Sequence, residues 1–134
     1  MKNKSGSLDT NVILRLLLRD DEPQYQLAKK LINSKNMNLH IADISLAEVA
    51  FVLGRYYQLS REDIKLTLEA LVFIDNLNFN RPLLLQSLEY FIQHSKLSLE
   101  DCMLSAYAKL NQAEPLYTFD KKLANQIDNA EHIG

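Results

Sequence analysis

Cysteine, glycine and proline are all scarce in this chain of 134 residues, which contains one Cys, three Gly and three Pro. The single cysteine, Cys102, cannot form an internal disulfide and lies inside an apolar helical pattern, so we expect a reduced, cytoplasmic setting. With so little glycine and proline, connections should be tight and helix caps mostly polar. The length and the ordinary hydrophobic fraction of 47% indicate one globular domain with a core of its own.

Long apolar runs are also missing. The longest ones, around Arg15 and near Phe73, fall well short of the roughly 20 residues that a membrane span needs. The first residues, MKNKSGS, contain lysines but no apolar h-region follows them, so they do not resemble a secretory signal. We therefore expect a protein that neither crosses a membrane nor carries an export signal.

An excess of basic charge is absent as well. The chain has 15 Lys and Arg against 17 Asp and Glu, a net charge of −2. Proteins that hold nucleic acid by overall electrostatics are usually strongly basic. An RNA or DNA partner would therefore be held by a local patch, by bridging metal ions or by a few specific contacts.

Short apolar strands alternate with helical patterns along the chain, which predicts an α/β fold with a mainly parallel sheet. Three serine-x-x-acid pairs have the spacing of a capping box at a helix start: Ser45 with Glu48, Ser60 with Asp63, and Ser98 with Asp101. Strands are expected at 5–8, 39–43, 77–79 and 115–120, with a weak one within 127–134, and helices at 11–18, 23–34, 45–58, 60–74, 82–94, 99–111 and 121–128.

Acidic residues lie at the ends of the predicted strands and at the starts of the predicted helices. Asp9 follows a predicted strand directly, Asp43 and Asp120 end predicted strands, and Glu48 and Asp101 fall in the first turns of predicted helices. Ligands of open parallel sheets bind beyond the carboxyl ends of the strands, so these groups can converge on one edge. Clustered carboxylates repel each other, and a divalent cation is the usual compensation. Oxygen ligands favour Mg²⁺ or Mn²⁺, which most often serves phosphate chemistry.

Each of these acids also has a purely structural interpretation. Glu48, Asp63 and Asp101 share the capping-box spacing, Asp9 is placed to cap the first helix, and Asp120 to cap the last. Spacing alone does not separate a cap from a ligand, and for any one residue the cap is the commoner role. The histidines are isolated along the sequence, which favours surface positions over metal ligation: His40, His94 and His132.

Four segments, in order, carry a resemblance to a known family. They are LDTNVILRLLLRDDEPQ, ISLAEVAFVL, EDCMLSAYA and YTFDKKL, and they extend from residue 8 to about residue 123. The chain resembles PIN-domain proteins, specifically the small VapC-type toxin ribonucleases of bacterial toxin–antitoxin pairs. The resemblance implies a three-layer α/β/α fold with a mainly parallel sheet of four or five short strands. On this interpretation residues 8–134 form the PIN-like domain, and residues 1–7 are a polar leader or a degenerate first strand.

The resemblance also implies a catalytic site, matched position by position. The acidic residues that would hold Mg²⁺ or Mn²⁺ and hydrolyse RNA phosphodiesters are Asp9, Glu48, Asp101 and Asp120. Asn11 and Thr118 match polar residues that orient the acidic group, whereas Asp63 matches only a cap. Lys121, Lys122 and, less strongly, Arg15 are candidate RNA contacts, although a solvated helix start is the commoner reason for two lysines at this place.

Partners follow from the same resemblance. Related toxins form homodimers and bind an antitoxin peptide across the site, and an aromatic surface built from Tyr56, Tyr57, Phe73, Tyr90 and Phe91 is expected to contribute. Two other functions stay open: a catalytically weak PIN-like binding or scaffold module, and a receiver-like phospho-acceptor domain. The receiver fold is disfavoured because no Asp-Asp pair follows a good first strand.

The segment before Asp9 departs from the family pattern. Relatives place four or five apolar residues there as a central buried strand, but this chain reads MKNKSGSL, in which only Leu8 is suitable. Three explanations compete: the strand forms through its backbone ladder, the native strand is missing from an altered start, or the protein is a drifting, weakly active member. The intact later motifs favour the first.

Overall fold

The computed structural model describes residues 4–134, which form an α/β fold with helices packed around short parallel strands, as the sequence predicts. Residues 1–3 of the predicted leader lie outside the described part. The strands are β1 (Lys4–Ser7), β2 (Met37–His40), β3 (Leu77–Asn78), β4 (Leu116–Thr118) and β5 (Ala130–His132). The helices are α1 (Thr10–Leu18), α2 (Glu22–Ile32), α3 (Asp43–Arg55), α4 (Arg61–Glu69), α5 (Arg81–Gln93), α6 (Leu99–Leu110) and α7 (Lys121–Gln126), with a 3₁₀ turn at Ala70–Phe73.

The five strands form two parallel sheets. One has the order β1-β2-β3, and the other consists of β4 and β5. The five short parallel strands agree with the predicted α/β fold, and they are divided between these two sheets because the described strands β1 and β4 do not pair with each other. β2 ends earlier than predicted, at His40, and Asp43 is already the first residue of α3. The carboxyl ends of β1 and β4 nevertheless lead to Asp9 and Asp120, two residues beyond each strand.

The Ser-Gly-Ser segment does form a strand. β1 pairs with β2 in parallel from Lys4 opposite Met37 to Ser7 opposite His40. The backbone N–H of Leu8 extends the ladder by donating to the carbonyl of His40 at 2.9 Å, and the Leu8 side chain is buried. Ser5 and Ser7 are exposed. Backbone pairing and Leu8 therefore hold the segment, and the two serines bury little surface.

Gly6 is the residue of β1 that loses most conformational entropy on folding, so replacing it with alanine should stabilise the protein. A Cβ at this position would lie 3.7 Å from Cδ2 of Leu39, an ordinary van der Waals contact with the residue that Gly6 pairs with. Alanine restricts the unfolded chain, so we expect a gain of roughly 0.4–1 kcal/mol in the free energy of unfolding. Urea denaturation measures it, with Ser5→Ala as an exposed control expected to change stability by less than about 0.5 kcal/mol. A destabilised Gly6→Ala variant would show that β1 is more crowded than this.

Leucine-rich faces of the helices and strands build one core. Helix α3 presents Leu46, Val49 and Leu53 to it, and each of them is fully buried. Phe51 on the same helix is, in contrast, 62% exposed. Helices α5 and α6 pack closely along each other, with Leu84, Leu88, Cys102 and Ala106 in the core. The described helices include none that is long and apolar enough to cross a membrane.

Two of the three serine-x-x-acid pairs stand at helix starts as predicted, and one of these two forms a complete capping box. Ser60 accepts a hydrogen bond from the N–H of Asp63 at the start of α4, and Ser98 with Asp101 forms a complete capping box at the start of α6. The prediction for Ser45 and Glu48 is wrong. Helix α3 begins at Asp43 after an N-cap at Ala42, so Ser45 is already inside the helix and buried. Glu48 is thus available for contacts other than a cap.

Candidate functional site

Asp9 occupies the N-cap position of α1, yet its carboxylate does not cap the helix. The residue has extended backbone angles, and its carbonyl accepts the N–H groups of Val12 and Ile13 at 3.0 and 3.2 Å. The side chain is exposed and accepts no hydrogen bond from the residues that the structure describes. The interpretation of Asp9 as a simple side-chain cap is therefore wrong, and both carboxylate oxygens are available to a ligand.

Thr10 connects this position to Glu48. Its side-chain hydroxyl donates a hydrogen bond of 3.2 Å to Oε2 of Glu48, 38 residues further along the chain. Thr10 is only 9% exposed, whereas Glu48 is exposed on the second turn of α3. The first and second acidic motifs are thereby brought together. Sequence reasoning missed Thr10, and the only available signal was a hydroxyl at the first helical position beside Asp9.

Asp101 takes part in the start of its own helix. Its backbone N–H donates to Oγ of Ser98 at 3.1 Å, and its Oδ2 accepts the Ser98 N–H at 3.3 Å. The side chain is half-buried. An ionised carboxylate has about four acceptor sites on two oxygens, so this cap leaves capacity for a second partner. Asp101 is a cap, and that role does not preclude ligation.

Asp120 is likewise the N-cap of α7. Its Oδ1 accepts the N–H groups of Lys122 and Leu123 at 2.9 and 3.2 Å. Oγ1 of Thr118 accepts the N–H of Asp120 at 2.9 Å, which orients the turn from β4 into the helix. The side chains of Lys121 and Lys122 are exposed beside it. Thr118 thus acts on the backbone of Asp120, and Oδ2 of Asp120 is left out of the cap.

A groove of about 820 Å³ connects Glu48 with the beginning of α6. Three acids line it, Asp43, Glu48 and Glu100, together with Ser98 of the capping box. Asp43 and Glu100, which match no catalytic motif, therefore add negative charge to the groove that Glu48 lines. Asp101 is the next residue after Glu100, which lines the groove. The groove and the Thr10–Glu48 hydrogen bond bring segments of the first three motifs into one region, whereas no hydrogen bond among the described residues joins Asp120 to Asp9 or Glu48.

The donor set fits a hard divalent cation in its chemistry. The four candidate residues offer only carboxylate oxygens, which Mg²⁺ and Mn²⁺ prefer. Within residues 4–134, no three His, Cys, Asp or Glu side chains stand close enough to enclose a metal ion. Mg²⁺ commonly keeps several waters and binds through one or two carboxylates together with substrate phosphates. The open arrangement around Asp9 and Glu48 suits that kind of site better than a closed protein cage.

Arg15 and Asn11 lie on the same helix and line the same small pocket between α1 and α2, but within residues 4–134 only Arg15 has a side-chain partner. Nη1 of Arg15 is 2.5 Å from Oδ1 of Asp20, and the Tyr57 hydroxyl donates to Oδ2 of Asp20 at 2.6 Å. The Tyr57 hydrogen bond and, after it, the Arg15 guanidinium lower the pKa of the Asp20 carboxyl. Arg15 is therefore already paired. Asn11 is exposed and makes no side-chain hydrogen bond to the residues described.

Cys102 follows Asp101 in α6 but faces the core. Its side chain is fully buried, and this burial raises the pKa of the thiol to about 12. The thiol is thus protonated at neutral pH, and protonated thiols are poor nucleophiles. Covalent catalysis by cysteine does not belong to this site, whose chemistry rests on carboxylates and hydroxyls.

Comparison with known proteins agrees with the arrangement of these elements. The sequence matches the PIN domain family over residues 7–128, which is most of the chain and includes all four acidic motifs. Among curated proteins, no match to the chain is found. PIN domains are generally nucleases, usually metal-dependent ribonucleases. With its α/β fold and its acids at strand ends and helix starts, the chain belongs to the PIN-domain family.

Proposed function

We propose that the chain is a Mg²⁺- or Mn²⁺-dependent endoribonuclease that hydrolyses RNA phosphodiester bonds. The observation that carries this proposal is the Thr10–Glu48 hydrogen bond, which joins the first two acidic motifs while the Asp9 carboxylate stays uncommitted. Membership of a nuclease family adds the expected reaction class. The catalytic residues are then Asp9, Glu48, Asp101 and Asp120.

The four acidic residues are proposed to have two different roles. Asp9, Asp101 and Asp120 are the proposed ligands of the cation, and Glu48 binds it or positions the attacking water. A bound Mg²⁺ or Mn²⁺ supplies activation of water and stabilisation of the charge on the leaving oxygen. Asn11 and Thr118 support the acidic residues, and Thr118 does so through the Asp120 backbone.

RNA must be held against an overall negative charge of −2. Lys121 and Lys122 are exposed next to Asp120 and make no ion pair within the described part of the chain, so they are available to flanking phosphates. Arg15 is a weaker candidate, because an RNA phosphate would have to compete with Asp20 for its guanidinium. We therefore propose the two lysines as the main protein contacts to the RNA backbone.

A cleavage assay tests the proposed reaction. Purified protein with Mn²⁺ should cut unstructured RNA internally, and excess EDTA should abolish the cutting because the carboxylates alone do not activate water sufficiently. Restoring Mn²⁺ in excess over EDTA should restore cleavage. Equal cutting with and without EDTA would contradict the role of the metal, and no cutting with Mn²⁺ would contradict the proposed activity.

We further propose that the protein is the toxin of a cytoplasmic toxin–antitoxin pair and forms a homodimer. In support of this proposal, the surface of the groove is mostly apolar apart from its acidic lining residues. Four exposed side chains of α3 and α6 line it: Ile44, Phe51, Leu104 and Tyr107. Solvent-exposed apolar patches of this kind often mark protein interfaces. Of the aromatic residues expected at a partner surface, Tyr56 and Phe73 are strongly exposed, while Phe91 is buried and lines the groove.

Light scattering tests the homodimer through Phe51→Glu. A carboxylate at this exposed position would be buried unpaired in a dimer, so we expect the variant to be monomeric where the wild type is dimeric. Leu66→Glu is the matched control and should leave the dimer intact, because Leu66 on α4 is an apolar side chain of nearly the same exposure, 64% against 62% for Phe51, and does not line the groove. A monomeric wild type would contradict the homodimer. The antitoxin proposal requires growth arrest on induction that co-expression of a neighbouring gene's product relieves.

A PIN-like binding or scaffold module without catalysis is the second candidate. Two observations favour it: Asp101 and Asp120 both cap helices, and no three metal-binding side chains converge within the described residues. A scaffold need not bind divalent cations, whereas a nuclease must. Titration with Mn²⁺ therefore separates the two functions before any RNA substrate is known.

A further inference from the structure

We propose that Thr10 is a positioning residue that holds the Glu48 carboxylate beside Asp9 for divalent-cation binding. The inference rests on the proposed function, since it concerns the same site. Thr10 precedes Asn11 and follows Asp9, but the motif comparison assigned a supporting role only to Asn11 and Thr118. The geometry gives Thr10 the direct contact to a second acidic motif, at 3.2 Å from Oε2 of Glu48.

Thr10 is suited to this role because its own position is well defined. It is the first residue of α1 and is 9% exposed. A β-branched side chain has few accessible rotamers at χ1, and helix α1 packs against α3, which carries Glu48. Glu48, in contrast, is exposed, and glutamate is a flexible residue with much rotamer entropy to lose. The rigid hydroxyl therefore restricts the flexible carboxylate.

The hydroxyl also orients Glu48 without neutralising it. The bond engages Oε2 and leaves Oε1 free, and no ion pair among the described residues involves Glu48. A lysine or arginine at position 10 would compete with a cation for the carboxylate, but a neutral donor does not. Hydrogen-bond partners of ligating carboxylates act in this way in metal sites, and their loss typically weakens metal affinity by roughly 10–100-fold.

Calorimetric titration of purified protein with Mn²⁺ tests the inference through Thr10→Val and Thr10→Ser. Valine keeps the branched shape and removes the donor, so we expect Mn²⁺ affinity to fall by about tenfold. Serine keeps the hydroxyl and should bind Mn²⁺ within a few-fold of wild type. Thr67→Val is the matched control, because the Thr67 hydroxyl donates to the carbonyl of Asp63 on the surface of α4, away from the acidic motifs.

Folding stability and metal affinity are measured in separate experiments. Urea denaturation of the same proteins without metal should show Thr10→Val close to wild type, since water can replace the lost donor at exposed Glu48. If Thr10→Val fails to fold, Thr10→Ala takes its place in the comparison with Thr10→Ser. Unchanged affinity in the variant lacking the hydroxyl, or equal losses in the serine variant, would overturn the positioning role. A wild type that binds no Mn²⁺ would overturn the proposed function and this inference with it.

Discussion

Asp9→Asn is expected to lower the rate of RNA cleavage by on the order of a hundredfold or more, the largest effect of any single substitution on activity. Asparagine keeps the size of the side chain but removes its charge. Metal ions contribute several kcal/mol of transition-state stabilisation, and each 1.36 kcal/mol corresponds to about a tenfold change in rate. Folding should be unaffected, because the Asp9 carboxylate accepts no hydrogen bond from the described residues.

Asp63→Asn provides the matched control for this prediction. Asp63 is also an acid in the first turn of a helix, and Ser60 caps that turn through the backbone N–H of Asp63. Its side chain lies outside the acidic motifs, so cleavage should be unchanged. Rates would be compared in steady state at saturating Mn²⁺. Equal activity of Asp9→Asn and wild type would exclude Asp9 from the site.

Arg61→Ala is expected to cause the largest loss of stability among the substitutions considered, about 3 kcal/mol. The guanidinium donates to the carbonyls of Phe91, His94 and Leu97 at distances from 2.6 to 3.0 Å. It also lies 3.6 Å from the centroid of the Phe91 ring. These carbonyls belong to the last turn of α5 and the segment after it. Carbonyl groups at the end of a helix have no N–H partner within the helix. Hydrogen bonds from charged groups each contribute roughly 1.5–3 kcal/mol, not additively.

Urea denaturation measures this effect, with Arg55→Ala as the control. Arg55 is exposed at the end of α3 and makes no ion pair with the described residues, so its loss should change stability by less than about 0.5 kcal/mol. Arg61→Lys should recover only part of the stability, because an ammonium cannot match the planar guanidinium fork. A loss in Arg61→Ala no larger than in Arg55→Ala would show that water satisfies these carbonyls.

Alternation of strands and helices was sufficient to predict the α/β class, because hydrophobic periodicity reports local structure directly. The division of the five strands into two sheets, with no pairing between β1 and β4, was not predictable in the same way. Whether two distant strands come within hydrogen-bonding distance depends on how the helices between them pack, and no local pattern encodes that. The Ser-Gly-Ser strand formed because its ladder to β2 uses backbone groups, which every residue except proline supplies.

Identical sequence spacing led to different outcomes at the helix starts. Ser98 and Asp101 form a capping box, while Ser45 and Glu48, with equivalent spacing, do not. The difference lies in where each helix begins. The N-cap of α3 is Ala42, so Ser45 is already the third residue of the helix and cannot be its N-cap. Spacing identifies residues that are able to cap, and the preceding strand decides which of them do.

The four candidate acids were named from the motif resemblance, because spacing alone does not separate a cap from a ligand, and the role of Asp9, Glu48, Asp101 and Asp120 as ligands stays a prediction. The contacts among these residues were not predictable from sequence. The hydrogen bond from Thr10 to Glu48 joins residues 38 positions apart through the packing of α1 on α3. Nor could sequence show that the Asp9 side chain is uncommitted while Asp101 and Asp120 serve as caps.

Four carboxylates from distant segments are proposed to form one divalent-cation site. Calorimetric titration with Mn²⁺ distinguishes this site from four unrelated surface acids, using the wild type, Asp9→Asn, Glu48→Gln, Asp101→Asn and Asp120→Asn, with Asp63→Asn as the control. We expect saturable binding by the wild type and the control, and weaker binding by each of the four variants. A wild type without measurable binding, or variants that all bind as tightly as the control, would show that these carboxylates do not form a common metal site.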